Sequence, residues 1–142
     1  MNQSVEAYEK TVLLLQQSKD NEKEARIFHV MAMVAYVKGR VSPDIQQRRM
    51  LVDEWFKLEK KALKIYEEKG DLLSIGRTYN NLAEWSMERQ FLESRWLELK
   101  NSILECIDFG EKAIKALSNV ENEYELTRSY ALITYHFGHA SR

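Results

Sequence analysis

The stretch from residue 62 to residue 85, ALKIYEEKGDLLSIGRTYNNLAEW, decides the fold. The residues before Gly70 are typical of the end of a helix, and the residues after Asp71 are typical of the start of another helix. Glycine is common just after a helix end, and aspartate is a good N-cap residue. The stretch therefore predicts two helices that are joined by a tight turn.

The chemistry of this stretch recurs with a period of 51 residues. Arg77 has counterparts at Arg26 and Arg128, and an aromatic residue follows each arginine two places later. Other columns with the same spacing are Lys10, Lys61 and Lys112; Val12, Leu63 and Ile114; Asp20, Asp71 and Asn122; Phe28, Tyr79 and Tyr130; and Met31, Leu82 and Ile133. A fixed period in this range is typical of stacked helical repeats.

We therefore predict an all-α fold, a right-handed stack of three αα-hairpins that forms a single domain over residues 1–142. The repeat units are expected at about 1–38, 43–89 and 94–138. Six helices are expected at 4–18, 22–38, 43–69, 72–89, 95–119 and 123–138. The scarcity of turn residues, five Gly and one Pro, agrees with a helical fold.

Several helix starts carry capping signals. Ser42 followed by Pro43 predicts the start of the third helix. Two pairs have the spacing of a capping box, namely Asn21 with Glu24 and Asn122 with Glu125. The turn within residues 90–95 has no Gly or Pro, so the repeat alone predicts it, with Glu93 or Ser94 near the next cap.

Composition excludes several function classes. The 142 residues include 21 Lys and Arg against 22 Asp and Glu, and the net charge of −1 gives no basis for binding nucleic acid or an anionic membrane. No apolar run approaches the roughly 18–20 residues needed to cross a bilayer. The N-terminus lacks the basic and apolar regions of a signal peptide. We therefore expect a cytoplasmic protein that contacts neither nucleic acid nor membrane.

Helical periodicity separates two faces on the middle repeat. Tyr79 and Leu82 point toward the core, whereas Arg77, Asn81 and Glu84 lie on the opposite side. In the last helix the same pattern predicts an apolar stripe and an opposite face. The stripe is Leu126, Tyr130, Ile133 and Phe137, and the opposite face includes Arg128, Leu132, Tyr135 and His139.

The helix at 27–37 departs from this pattern because its segment VMAMVAYV is apolar all round. Val30, Met33 and Val37 occupy positions that are polar in the middle repeat. Such a helix must be covered on both sides. Another helix of the chain, a second copy or a partner protein could cover it, so these three residues are candidates for hydrophobic contact or self-association.

The quoted stretch resembles tetratricopeptide repeats, in particular the longer repeats of kinesin light chains and of bacterial regulators that respond to peptide signals. The family places a small and then a large residue four apart on its second helix, as in Ala62 and Tyr66 here. It then places an aromatic, a leucine and a small residue on the next first helix, as in Tyr79, Leu82 and Ala83. The 51-residue period exceeds the family's usual repeat of about 34 residues.

In that family the first helices line a concave groove that binds peptides or protein segments. The resemblance implies that such a groove would be lined here by Arg26, Arg77, Asn80, Asn81, Glu84, Arg128 and Tyr135. The arginines could bind carboxylates of a partner, or they could pair with acidic residues of a neighbouring helix. The asparagines, which are poor helix formers, could bind a peptide backbone or contact the adjacent helix.

We find no pattern for catalysis, a cofactor or a metal. The sequence has no glycine-rich phosphate loop, HExxH or GxSxG motif. His136 and His139 are three apart but have no further ligand at suitable spacing, and Cys106 fits a small buried residue better than a nucleophile.

The expected function is a non-catalytic scaffold that binds a protein or peptide along its first helices. Two alternatives stay open at this point. The chain could be a regulatory or sensor domain of a larger signalling or transcription-control protein, or it could be a homo-oligomeric structural protein that associates through residues 27–37.

Overall fold

The computed structural model describes residues 2–92 and 95–140, with side chains over 3–92 and 95–135. Within these ranges it contains no strand and has the following six helices: α1 (Asn2–Gln17), α2 (Lys23–Val41), α3 (Ile45–Lys69), α4 (Leu72–Gln90), α5 (Trp96–Leu117) and α6 (Glu123–Ala140). The predicted all-α class and its six helices are confirmed. The turn that only the repeat predicted, between α4 and α5, is present.

The chain divides into two compact units, residues 1–68 and 69–142. The first unit contains α1, α2 and nearly all of α3, and the second contains α4, α5 and α6. The predicted grouping into three hairpins within a single domain stays a prediction.

Small residues hold α2 close to α3 in the first unit. Ala25, Ala32, Ala35 and Gly39 are all buried along α2. The rings of Tyr36 and Trp55 lie 4.7 Å apart, centroid to centroid. Helix α1 packs on α2, so a helix of the same chain covers part of the all-round apolar helix.

Close approach of α4 and α5 forms the core of the second unit. Leu82 and Ala83 of α4 and Ala113 and Leu117 of α5 are fully buried. Gly76 allows this approach, because a Cβ at this position would lie 2.3 Å from Cγ of Leu117. Helix α6 packs against both α5 and α4.

The helix ends confirm some capping signals and correct others. Gly70 has a φ of 68° and ends α3, and Asp71 caps α4 by accepting a hydrogen bond from the Ser74 amide at 3.2 Å. At α3, however, Oδ1 of Asp44 accepts a hydrogen bond from the Gln46 amide at 2.8 Å. The N-cap of α3 therefore lies two residues beyond the predicted Ser42.

The remaining predicted caps are only partly formed. Asn122 accepts a hydrogen bond from the Glu125 amide at 3.0 Å, whereas the Glu125 carboxylate turns toward α4 instead of completing the box. Helix α2 has Glu22 at its N-cap without a side-chain cap bond, so its N-cap lies one residue beyond the predicted Asn21. Glu93 and Ser94 lie outside the described residues.

The predicted apolar stripe of α6 is also wrong in part. Tyr130 is 52% exposed, whereas Glu125, Ser129 and Ile133 are buried. These three residues are spaced by four, so they form one face of the helix. Polar residues supply two of its three positions because this face contacts polar groups of α4. Phe137 lies outside the described side chains.

We predict that Gly76→Ala destabilises the protein. Overpacking against Leu117 should cost about 1–3 kcal/mol, and this cost should exceed the gain of up to about 1 kcal/mol in helix propensity. The measurement is the free energy of unfolding from denaturant titration. In a Leu117→Ala background the same glycine substitution should cost nothing, because the clashing atoms are gone.

Gly39→Ala is the matched control for this prediction. The nearest atom to a Cβ at position 39 is Cβ of Leu51 at 3.4 Å, which is ordinary contact, so this substitution should be neutral or stabilising. Equal effects of the two glycine substitutions would contradict the close α4–α5 packing.

Candidate functional site

Arg26 and Arg77 show the same arrangement in their separate units. Nε of Arg26 lies 2.9 Å from Oδ2 of Asp20, and Nε of Arg77 lies 3.4 Å from Oε1 of Glu125. Their side chains are 54% and 50% exposed, respectively. Each ion pair holds the inner nitrogen of the guanidinium, so the two terminal nitrogens can bind a further carboxylate.

Arg128 differs from these two arginines because its terminal nitrogens are engaged within the second unit. Its Nη2 donates to Oε2 of Glu84 at 2.6 Å and to Oδ1 of Asn81 at 3.0 Å. Its Nη1 lies 3.4 Å from Oε2 of Glu125. The side chain is only 24% exposed. Arg128 therefore joins α6 to α4, which was one of the alternatives left open by the sequence.

Asn80 lies fully buried between α4 and α6. Its Nδ2 donates to the backbone oxygen of Glu125 at 2.9 Å and to the Oε2 of the same residue at 3.0 Å. Its Oδ1 accepts a hydrogen bond from Oγ of Ser129 at 2.7 Å. Both polar atoms of the Asn80 amide are thus paired with polar groups of α6, as burial requires.

Glu125 is the charged centre of this contact. Its carboxylate is 8% exposed in the side chain and lies near both Arg77 and Arg128. Two guanidinium groups and the Asn80 amide compensate a charge that would be costly to bury alone. We name this set of α4 and α6 side chains the polar cluster: Arg77, Asn80, Asn81, Glu84, Glu125, Arg128 and Ser129.

The other predicted site residues occupy different settings. Tyr135 of α6 is exposed. Val30, Met33 and Val37 of α2 are each partly buried. A groove of about 440 Å³ in the first unit is lined by Glu9, Val12, Leu13, Met31, Val34, Ala35, Lys38, Leu51 and Glu54.

The polar face of α6 is the feature that sequence reasoning missed. Glu125 and Ser129 are four apart, and both are buried with Ile133. The available signal was the pair of mid-helix asparagines at positions 80 and 81. Asparagine has a low helix propensity, so its presence within a helix indicates that its side chain makes compensating hydrogen bonds. Reading Glu125 as part of a capping box concealed its role.

Side chains that bind metals are not clustered in the described part of the chain. No cluster of three or more His, Cys, Asp or Glu residues there could hold a metal ion. Burial raises the pKa of the Cys106 thiol to about 12, so it stays protonated at neutral pH. The side chains of His136 and His139 lie outside the described residues.

No helix in the described ranges combines the length and apolar character needed to cross a membrane.

Neither a protein-family model, nor a curated protein sequence, nor a solved structure matches this chain.

We predict that Asn80→Ala lowers the free energy of unfolding by about 2–3 kcal/mol, because Ser129 and Glu125 lose a buried partner. Chemical denaturation measures the change. Asn101→Ala is the matched control: Asn101 is exposed on α5, so its substitution should change stability by less than about 0.5 kcal/mol. Similar values for the two variants would show that the Asn80 contacts contribute nothing to stability.

Proposed function

We propose that this protein is a non-catalytic interaction scaffold with a tetratricopeptide-like helical array, and that it binds acidic segments of other proteins at two separate places, Arg26 in the first unit and Arg77 in the second. The observation that carries the proposal is their shared geometry. Each guanidinium is half exposed and is held by a carboxylate at its Nε.

The chemistry of arginine explains why such a geometry suits recognition. A guanidinium is planar, and its paired N–H groups match the two oxygens of a carboxylate. Arg77 pairs with Glu125 through Nε at 3.4 Å, and half of its side chain is exposed to a ligand. Restricting the side chain before binding lowers the conformational entropy lost on binding.

Arg128, Asn81 and Glu84 have a supporting role in this proposal. Arg128 binds both other residues, and it shares Glu125 with Arg77. Glu125 in turn orients Arg77. A partner would therefore contact Arg77 directly, while Arg128 and Asn80 keep α6 and its carboxylate in place. Tyr135, exposed on α6, offers an additional aromatic contact.

The proposal is tested by selection from a displayed library of random peptides against wild-type protein. Peptides rich in Asp and Glu should be enriched, and the recovered peptides should bind Arg26→Gln/Arg77→Gln protein at least about tenfold more weakly, as loss of charge-assisted hydrogen bonds predicts. Fluorescence anisotropy with labelled peptides measures the affinities.

Arg49→Gln/Arg95→Gln protein is the matched control. Both arginines are exposed and lie outside the two proposed sites, and the net charge changes by the same amount. Its affinities should equal those of the wild type within about twofold. If both double variants bind the peptides equally weakly, net charge alone accounts for the binding and the proposal is wrong. If no acidic peptides are found among the binders, the proposal is also refuted.

A further inference from the structure

A second stripe of side chains runs along α5, on the side away from its buried residues Cys106, Phe109 and Ala113. Its members are spaced by three and four residues in turn, which is the pattern of a coiled-coil seam. They span about 100° of the helix surface. We name this stripe the α5 seam, and it consists of Leu97, Lys100, Leu104, Ile107, Glu111 and Ile114.

The α5 seam is accessible to a partner. Leu97 and Leu104 are 67% and 54% exposed. The two charged members are exposed as well, and the two isoleucines are half-buried. Covering apolar surface of this kind is favourable by about 25 cal/mol per Å², so a second helix laid along the seam would be stabilised by it.

The order of side chains along the α5 seam is self-complementary. From one end to the other it is aliphatic, positive, aliphatic, aliphatic, negative and aliphatic. When two copies lie antiparallel, the first member of one faces the last member of the other. Each layer then joins two aliphatic side chains or two opposite charges. The layers, each formed twice, are Leu97 with Ile114, Lys100 with Glu111, and Leu104 with Ile107.

The two charged members fix the orientation of such a pair. Lys100 and Glu111 are eleven residues apart, about 16.5 Å along the helix, so they cannot pair with each other within one chain. In a parallel pair each would face its own copy, and like charges repel. The antiparallel pair brings opposite charges together at both layers.

The repeat shows that this position in the fold does not require the stripe. On α3, 51 residues earlier, the counterparts of the two leucines are Gln46 and Asp53, and those of the charged pair are Arg49 and Lys60. All four are exposed. Two positive charges at these places would repel in the antiparallel arrangement. The α5 seam therefore differs from its counterpart in two properties that favour self-association, exposed leucines and opposite charges.

We propose that the α5 seam is a homodimer interface, in which α5 of one protomer packs antiparallel against α5 of a second copy. A second copy supplies the reversed order of charges by symmetry, which makes the contact isologous. Helix α5 is already held against α4, where Leu117 lies against Gly76, so no helix has to be ordered on association. The interface involves neither Arg26 and Arg77 nor the residues at 27–37.

Sedimentation equilibrium of the intact protein, from micromolar to millimolar concentration, tests the proposal. Wild-type protein should form dimers as its concentration rises. Leu104→Asp introduces the residue type that α3 has at this place, and it should weaken dimerisation at least about tenfold, because two leucines per dimer lose their apolar contact. Far-UV circular dichroism should be unchanged, since Leu104 is exposed.

Met50→Asp is the matched control for Leu104→Asp. Met50 is 72% exposed on α3 and lies outside the α5 seam, and the substitution adds the same charge. Its dimerisation should equal that of the wild type within about twofold.

Charge reversal tests the antiparallel order. Lys100→Glu and Glu111→Lys should each weaken dimerisation at least about tenfold, because two-fold symmetry repeats the repulsion at two layers. The double variant Lys100→Glu/Glu111→Lys restores opposite charges at both layers and keeps the net charge of the wild type. Its dissociation constant should return to within about threefold of the wild-type value.

Three results would each overturn the proposal. The first is a protein that stays monomeric over the whole concentration range. The second is a dimer that Leu104→Asp leaves intact, because another surface would then hold the two copies together. The third is a double charge variant that dimerises as weakly as the single ones, because the antiparallel layers would then be absent.

Discussion

The amide of Asn80 is fully buried between α4 and α6, and the placement of α6 depends on it. Both of its polar atoms are used, one by Glu125 and the other by Ser129. A buried amide with incomplete hydrogen bonding would be costly, whereas a complete set fixes one arrangement. Because Glu125 also pairs with Arg77 and Arg128, this contact connects the packing of the unit to its exposed charges.

Two kinds of helix contact therefore coexist in the second unit. Helices α4 and α5 meet through small and apolar residues, with Gly76 against Leu117. Helices α4 and α6 meet through the polar cluster. The first contact is close and largely nonspecific in its chemistry, whereas the second requires matched donors and acceptors.

The sequence was sufficient for the helices but not for the contacts between them. Periodicity, Gly70 and Asp71 located α3 and α4, and the repeat located the turn before α5. The cap predicted at Ser42 was misplaced because Asp44, two residues later, accepts the amides of Gln46 and Gln47 in the first turn of α3. The buried face of α6 was misassigned because a search for apolar periodicity does not detect a polar interface between helices. Burying Glu125 and Ser129 is favourable only because Asn80 of α4 supplies their hydrogen-bond partner.

Hydrogen exchange of wild-type and Asn80→Ala protein, followed by mass spectrometry, tests most directly whether this amide positions α6. The account predicts that amides in residues 123–135 exchange about 30-fold faster in the variant, while those of α4 and α5 keep their wild-type protection. Unchanged protection of α6, or an equal loss across all three helices, would contradict it.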